Sequence, residues 1–498
     1  MGLLHGLLTR DSAYGRNNLH ACPRVCVIER GVNNQHADGP LLDEWFLQAR
    51  SSPSQHAANL QGRYNYTLPT GQGRGGTTNI HAGLALWPPS EDFQNTTTNQ
   101  WPNGFHSSVQ KIQEQLRVST QSSSGGLVED PTIDATIRFP SVVNDIPCTS
   151  DAQGKRINYY EALVKPFLSK PTNPAISITW IDEAEVQRIL VQPKSRNDDG
   201  DETSSIASGV QYQKDGRSYQ VQGSTTVLAA GVLESPRILV KSGLVPQKTT
   251  FDLWDHTVVP FAMLHWPPQS QSENHRSFNG VASMHHFQMG RHSYQLSRFD
   301  ATLLPSILPA LAVDFLLRRH IQKPSRLLDR LARILERVLR IITTAFFSIP
   351  FFGRTIIVWG VNMMSPSQPI GTLKVGTYSQ LTINLDYLKD NEELHSLQHQ
   401  AWPVLHRIAS SKAWEFFPGA WVRQKFFGSW ARFFCLPYFH WCGALSEWVD
   451  PHTLKCRNTS NVLVCDASAF PSLPRAPTAP TCAALGYHVA HLLMLQRK

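Results

Sequence analysis

In the segment FHWCGAL, His440 stands between Phe439 and Trp441. An imidazole with an ordinary pKa of about 6.5 can take up and return a proton near neutral pH, so the residue type suits a general base. From local sequence alone, a packed histidine between two aromatic rings remains the better reading. Glu29 closes the apolar run VCVIERG. An acid at the carboxyl end of a parallel strand can accept hydrogen bonds from a ribose diol, although many strands end in a charge. The stretch TGQGRGGTTN, residues 70–79, sets glycines among hydroxyls, and such a backbone can approach an anion closely. Gly76 is followed by Thr77, where a phosphate-binding P-loop needs Lys and then Ser or Thr, which speaks against kinase or NTPase chemistry.

These residues need elements to hold them. The run TTVLAAGVLESPRILVKSGL passes from an apolar strand to a helix with no polar linker. Ala229, Ala230 and Gly231 leave the carboxyl end of that strand bare enough for a flat ligand, Ser235 is expected as the N-cap, and Pro236 fits the first turn. Lys241 and Gly243 suit the helix end. The pattern predicts a strand-to-helix crossover able to meet a nucleotide, with a plain packing turn as the alternative. Helical spacing also starts at residue 2, in MGLLHGLLTR. RTIIVWGVNMM and GTLKVGTYSQLTINLDYL read as strands of an antiparallel sheet, and NVLVCDASAF as a buried strand. PSLPRAPTAP reads as a rigid loop and TCAALGYHVAHLLMLQRK as a closing helix.

The chain has 498 residues, enough for more than one core, and 41% of them are hydrophobic against 17% charged. The net charge of +8 is largely local. Eight basic residues face only Asp329 and Glu336 between Arg318 and Arg340. From Arg326 to Ile342 the leucines, isoleucines and Val338 recur at three and four while arginines take the other face, which predicts an amphipathic helix. A membrane surface or an anionic partner fits such a helix; packing on the domain with solvated arginines is its commoner fate and is the expectation here. The apolar stretch Ile341 to Met364 is likewise expected in the core. Nucleic acid is not an expected partner. The eight cysteines show no metal-ligand spacing and read as reduced, mostly buried thiols, so no metal is expected. The segment MGLLHGLLTRDS lacks a basic stretch followed by a secretory apolar core, Gly6 breaks the myristoylation pattern, and no apolar run reaches the length of a membrane span. An intracellular location is expected.

Taken in order, these pieces resemble the glucose-methanol-choline (GMC) family of FAD-dependent oxidoreductases. VCVIERG is similar to the family's ribose-binding strand and GRGGTTNIHAG to its flavin-contacting loop. AEVQRILV resembles the strand whose backbone, at Val186, faces adenine. AAGVLESPRILVKSG resembles the second family signature. FHWCGAL followed by NVLVCDASAFPSLP resembles the catalytic block. The resemblance implies an α/β fold: a Rossmann-like FAD-binding domain from residues 1–90, 140–245 and 440–498, and a substrate domain on an antiparallel sheet from 91–139 and 246–439. It implies FAD held by Glu29, Gly75, Gly76, Thr77, Thr78, His81, Val186, Ala230, Gly231, Asp466 and Ala467. It further implies oxidation of a small-molecule alcohol to a carbonyl, by hydride transfer to flavin with His440 as base. The many aromatic residues of 250–370 suggest an apolar or aromatic substrate.

Three departures stand against this pattern. The family's second catalytic His or Asn falls on Pro477, which can neither donate nor accept a proton. His81 replaces the Asn of the flavin loop, and the position through which some members bind flavin covalently is Ile80. The Gly-x-Gly-x-x-Gly turn and the first strand are not found, with Gly2 matching the last glycine, so the sequence reads as shortened at its amino end or as a poor binder of FAD. Two alternatives follow: a lyase or cyclase on the same fold with a structural flavin, and a non-catalytic protein.

Overall fold

In a computed structural model of the chain, Thr226–Leu228 and Val462–Val464 run parallel, Thr226 opposite Val462 and Leu228 opposite Val464. Both are short apolar runs, and Val462, Leu463 and Val464 are wholly buried, as expected of strands covered on both faces. A second parallel pair joins Arg24–Ile28 to Ser177–Ile181. The structure describes residues 1–10, 24–32, 54–60, 64–80, 87–96, 100–116, 119–122, 145–148, 157–168, 176–192, 204–265, 281–289, 292–299, 326–349, 356–364, 366–377, 380–408, 413–417 and 420–495, with isolated positions at 305, 308–309, 312–313 and 351.

The helix Gly2–Arg10 lies on the closing helix Thr478–Leu495 so tightly that side chains cannot intervene. A Cβ on Gly2 would stand 1.8 Å from the Ala483 carbonyl oxygen, one on Gly6 2.7 Å from Ala490 Cβ, and one on Gly486 2.5 Å from the Leu3 nitrogen. The two helices meet backbone to backbone.

The crossover after Leu228 forms as the spacing predicts, with one correction. The helix is Glu234–Lys241, its cap position is Leu233, and no side chain caps it. Ser235 is not the N-cap: it is fully buried and donates to the Asp466 carboxylate. A buried carboxylate needs donors more than a helix end does.

The other sheets are antiparallel, except that Leu381–Leu385 pairs in parallel with Ser54–Leu60. One sheet orders Val281–Met289, His292–Phe299, Ile356–Met363, Thr257–His265 and Ala413–Phe417, with Leu436–Pro437 also on Thr257–His265. Another orders Thr250–Leu253, Gly371–Val375, Leu381–Leu385, Ser54–Leu60 and Tyr64–Thr70, so an early segment joins a sheet of the expected substrate half. Glu185–Gln192, Ile206–Lys214 and Arg217–Gln222 form a three-stranded meander. The fold is thus α/β, with short parallel strand pairs beside largely antiparallel sheets.

The basic helix runs from Arg326 to Ser348, and here the expectation is overturned. Leu327, Leu331, Ile334, Val338, Ile341 and Ile342 are exposed, while Ala332 and Phe347 are buried. The helix rests on the molecule by a flank, so its leucine and isoleucine stripe is not core. Nor is the whole of Ile341 to Met364: Ile341 and Ile342 face solvent, while among the described residues Phe347 and Gly360 to Met364 are buried.

Candidate active site

The ends of the parallel strands hold one another through backbone and carboxylate. Asp466, at the end of Val462–Val464, accepts from the Gly231 amide at 2.9 Å and from the Ser235 hydroxyl with one oxygen, and from the Ser468 amide at 2.9 Å and its hydroxyl with the other. Gly231 sits at φ 88°, a conformation that suits glycine, and a Cβ there would meet nothing within 4 Å. Ala229 and Ala230 beside it are exposed. The strand end is bare, as its small residues suggest.

At the other pair, the Glu29 carboxylate accepts from the amides of Gly31, 2.7 Å, and Gly73, 2.9 Å. Burial raises its pKa against the pull of these amides. Glu29 therefore pins the glycine loop to its strand. In that loop Gly75 and Gly76 have positive φ, the space beside Gly76 is open, and Thr77 is exposed. Thr78 is buried: its hydroxyl donates to the Gly75 carbonyl and accepts from the Tyr159 amide. His81 lies outside the described residues. Val186, half-buried in the meander, pairs with Tyr212. Arg30 reaches Glu234 at 3.2 Å, tying the strand end of Glu29 to the helix that follows Gly231.

His440 reaches this centre through its own loop. The Gly443 amide donates to the Ala467 carbonyl at 2.9 Å, which fixes the loop beside Asp466. Phe439 takes φ 63°, strained for a phenylalanine, and the clamp that holds it is Asp255. That fully buried carboxylate accepts from the amides on both sides of Phe439, Tyr438 at 3.2 Å and His440 at 2.7 Å. It also accepts from Tyr387 Oη, Trp441 Nε1 and the His256 amide. Burial pushes the Asp255 carboxyl up to about 7 against the pull of Tyr387, the His440 amide, Trp441 and the His256 amide.

Next to Asp255, His256 is wholly buried and links to His440, Nδ1 to Nδ1, at 2.8 Å. Its Nε2 lies 3.0 Å from the Pro474 carbonyl oxygen. A carbonyl only accepts, so His256 Nε2 carries the hydrogen, and neutral His256 offers Nδ1 as an acceptor. His440 Nδ1 must then donate, which leaves His440 Nε2 with a free lone pair. Burial, and after it the neighbouring His256, holds the His440 pKa well below the ordinary histidine value, although the residue keeps a partly exposed edge. At neutral pH it is an uncharged base with a fixed tautomer.

Asp255 and His256 escape a reading by motif. Their only signal is a polar pair between the apolar runs TFDL and TVVPFAMLH.

The description "GMC oxidoreductase" matches the chain in two segments, its amino-terminal part over residues 146–258 and its carboxyl-terminal part over 369–486. No curated protein sequence matches. Among solved structures, pyridoxine 4-oxidase from Mesorbium loti superposes with a TM-score of 0.62 at 13% identity, covering 98% of this chain and 96% of that one. An FAD-dependent oxidoreductase from Chaetomium thermophilum gives 0.59 at 16% identity over 100% and 97% of the two chains. A fungal aryl-alcohol oxidase gives 0.57 at 13% over 100% and 98%. At such identities the structures speak for the fold. Together with the two family segments, they define an oxidoreductase of the α/β flavoprotein class. The chain belongs to the GMC oxidoreductase family, and its cofactor is FAD.

The residues fit that group. Gly76 and Gly231 leave open space that a side chain would fill, and the Thr481 hydroxyl, buried in the first turn of the closing helix, has no hydrogen-bond partner among the described residues.

Proposed function

We propose that the protein oxidises an alcohol to a carbonyl, with His440 Nε2 taking the hydroxyl proton. The observation that carries this reading is the relay from the Pro474 carbonyl through His256 to His440, because it fixes the base tautomer on the nitrogen left free. FAD, when bound, supplies the acceptor for the hydride that leaves the alcohol carbon. Ala230, Gly231, Asp466 and Ala467 would line it at one strand end. Glu29 would border it at the other with Gly75, Gly76, Thr77 and Thr78; Val186 and His81 complete the set that the family pattern assigns.

The chain's own residues then do three things. Asp255 sets the loop angle of His440 through the amides flanking Phe439. His256 accepts from His440 Nδ1 and so keeps the free lone pair on Nε2, where the hydroxyl proton is to be taken. The second catalytic position that the family pattern assigns falls on Pro477, which carries no proton, and His256 meets His440 on its Nδ1 side.

An apolar or aromatic alcohol is the proposed substrate class, and aryl-alcohol oxidation by a structural neighbour is consistent with it. The test is anaerobic mixing of the FAD-loaded protein with an aromatic primary alcohol. Bleaching of the flavin is expected, slowed about 10²- to 10⁴-fold in His440→Ala. Bleaching at the parental rate in that variant removes the role of His440. A flavin that stays oxidised with every alcohol tried removes the reaction.

A further inference from the structure

The helix Arg326–Ser348 carries an apolar face that the described residues leave uncovered. On a helical projection of 100° per residue, Leu327, Leu331, Ile334, Val338, Ile341 and Ile342 share one arc of about 100°. All six are between 46% and 70% exposed. One margin of the arc bears Arg330 and Arg337, both exposed. The opposite margin turns inward through half-buried Leu335 and Leu339 to buried Ala332, and the Thr343 hydroxyl reaches the Pro305 carbonyl oxygen at 3.5 Å. The helix is seated by this flank, holding the stripe outward and the arginines beside it.

We propose that this helix docks the protein onto an anionic lipid surface, lying in the plane of the headgroups with its stripe among the upper acyl chains. Spanning is excluded for it, since no helix among the described residues is long and apolar enough to cross a membrane. The charge pattern selects the occupant. Within the helix five arginines meet only Asp329 and Glu336, and Arg318, Arg319 and Lys323 precede it. A second copy seated on the same stripe would bring two arginine rows together with few acids to meet them. Phosphate headgroups supply anions along the whole margin while the acyl region accepts the stripe. At 23 residues the helix is about 35 Å long, enough for six apolar anchors in one plane.

Cosedimentation of the full chain with vesicles of about three parts phosphatidylcholine to one of phosphatidylserine tests this. Binding is expected to these vesicles, to be far weaker with phosphatidylcholine alone, and to fall as salt rises to about 0.5 M. Ile334→Asp with Val338→Asp should reduce it tenfold or more, and so should Arg330→Glu with Arg337→Glu. All four sites are exposed, and the arginine pair decides the matter should the aspartates disturb folding. Absence of binding to the anionic vesicles overturns the proposal, as does undiminished binding by both variants. A concentration-dependent dimer, abolished by the aspartate pair and indifferent to vesicles, overturns it in favour of a second copy on this face.

Discussion

At the scale of single residues, the site is a histidine kept neutral and turned the right way. Because burial and His256 both lower the His440 pKa, the base stays unprotonated through neutral pH. Catalysis should be lost only as pH falls through a value well below that of a free histidine. The acid limb of kcat/KM against pH checks this; a limb at or above the ordinary histidine pKa contradicts it. Replacing His256 separates charge from orientation. His256→Ala removes a group that lowers the His440 pKa and the acceptor that fixes its tautomer, so the limb should move to higher pH and kcat should fall about 10- to 100-fold. His256→Gln can still accept from His440 and donate to Pro474, and should recover most of kcat while leaving the limb raised. Asp255 acts one step back. In Asp255→Asn an amide NH₂ replaces one carboxylate oxygen and confronts the donors that oxygen accepted, either the His256 and His440 amides or Tyr387, Trp441 and the Tyr438 amide, which should cost about 2–4 kcal/mol in denaturant-measured stability and release the strained Phe439 turn.

At the scale of elements, close approach is what the glycines secure. A valine at position 486 would drive its Cβ into the backbone of the opening helix, 2.5 Å from the Leu3 nitrogen. Overpacking of this kind should lower stability by about 1–3 kcal/mol, seen as a reduced midpoint in thermal or urea unfolding. An unchanged midpoint would mean that the two helices separate without cost. The elements were also where the sequence was most legible. The crossover after Leu228, the strand before Asp466 and the strand before Glu29 each show an apolar run ending in a small or acidic residue, a local signal. His256 shows no more than a polar pair between apolar runs, because its partner is 184 residues away and the two meet only when the strand pair around Thr257 is formed. The basic helix failed for a different reason. Periodicity tells which side chains share a face, and says nothing of whether protein or solvent meets that face.

At the scale of the whole molecule, the candidate cofactor site is gathered from the length of the chain. Glu29, Gly75 and Gly76, Gly231, and Asp466 sit on segments that are joined through Arg30 and Glu234, the Asp466 carboxylate and the Glu29 carboxylate, more than through any continuous sheet. A group bound across these ends contacts segments that separate on unfolding, so it binds the folded state alone. FAD at about 100 times its dissociation constant should then add about 2.7 kcal/mol of stability, which for a chain of this size is roughly 2–3 °C in the unfolding midpoint. Differential scanning with and without FAD measures it. His440→Ala should keep the shift, because its ring serves proton transfer and not the hold on FAD. Gly231→Val should lose it: the new side chain enters the open space at the strand end, and its left-handed backbone costs about 1–2 kcal/mol in the free protein as well. A shift that survives in Gly231→Val would move the cofactor away from the ends of Thr226–Leu228 and Val462–Val464, and with it the reason for His440 to stand where it does.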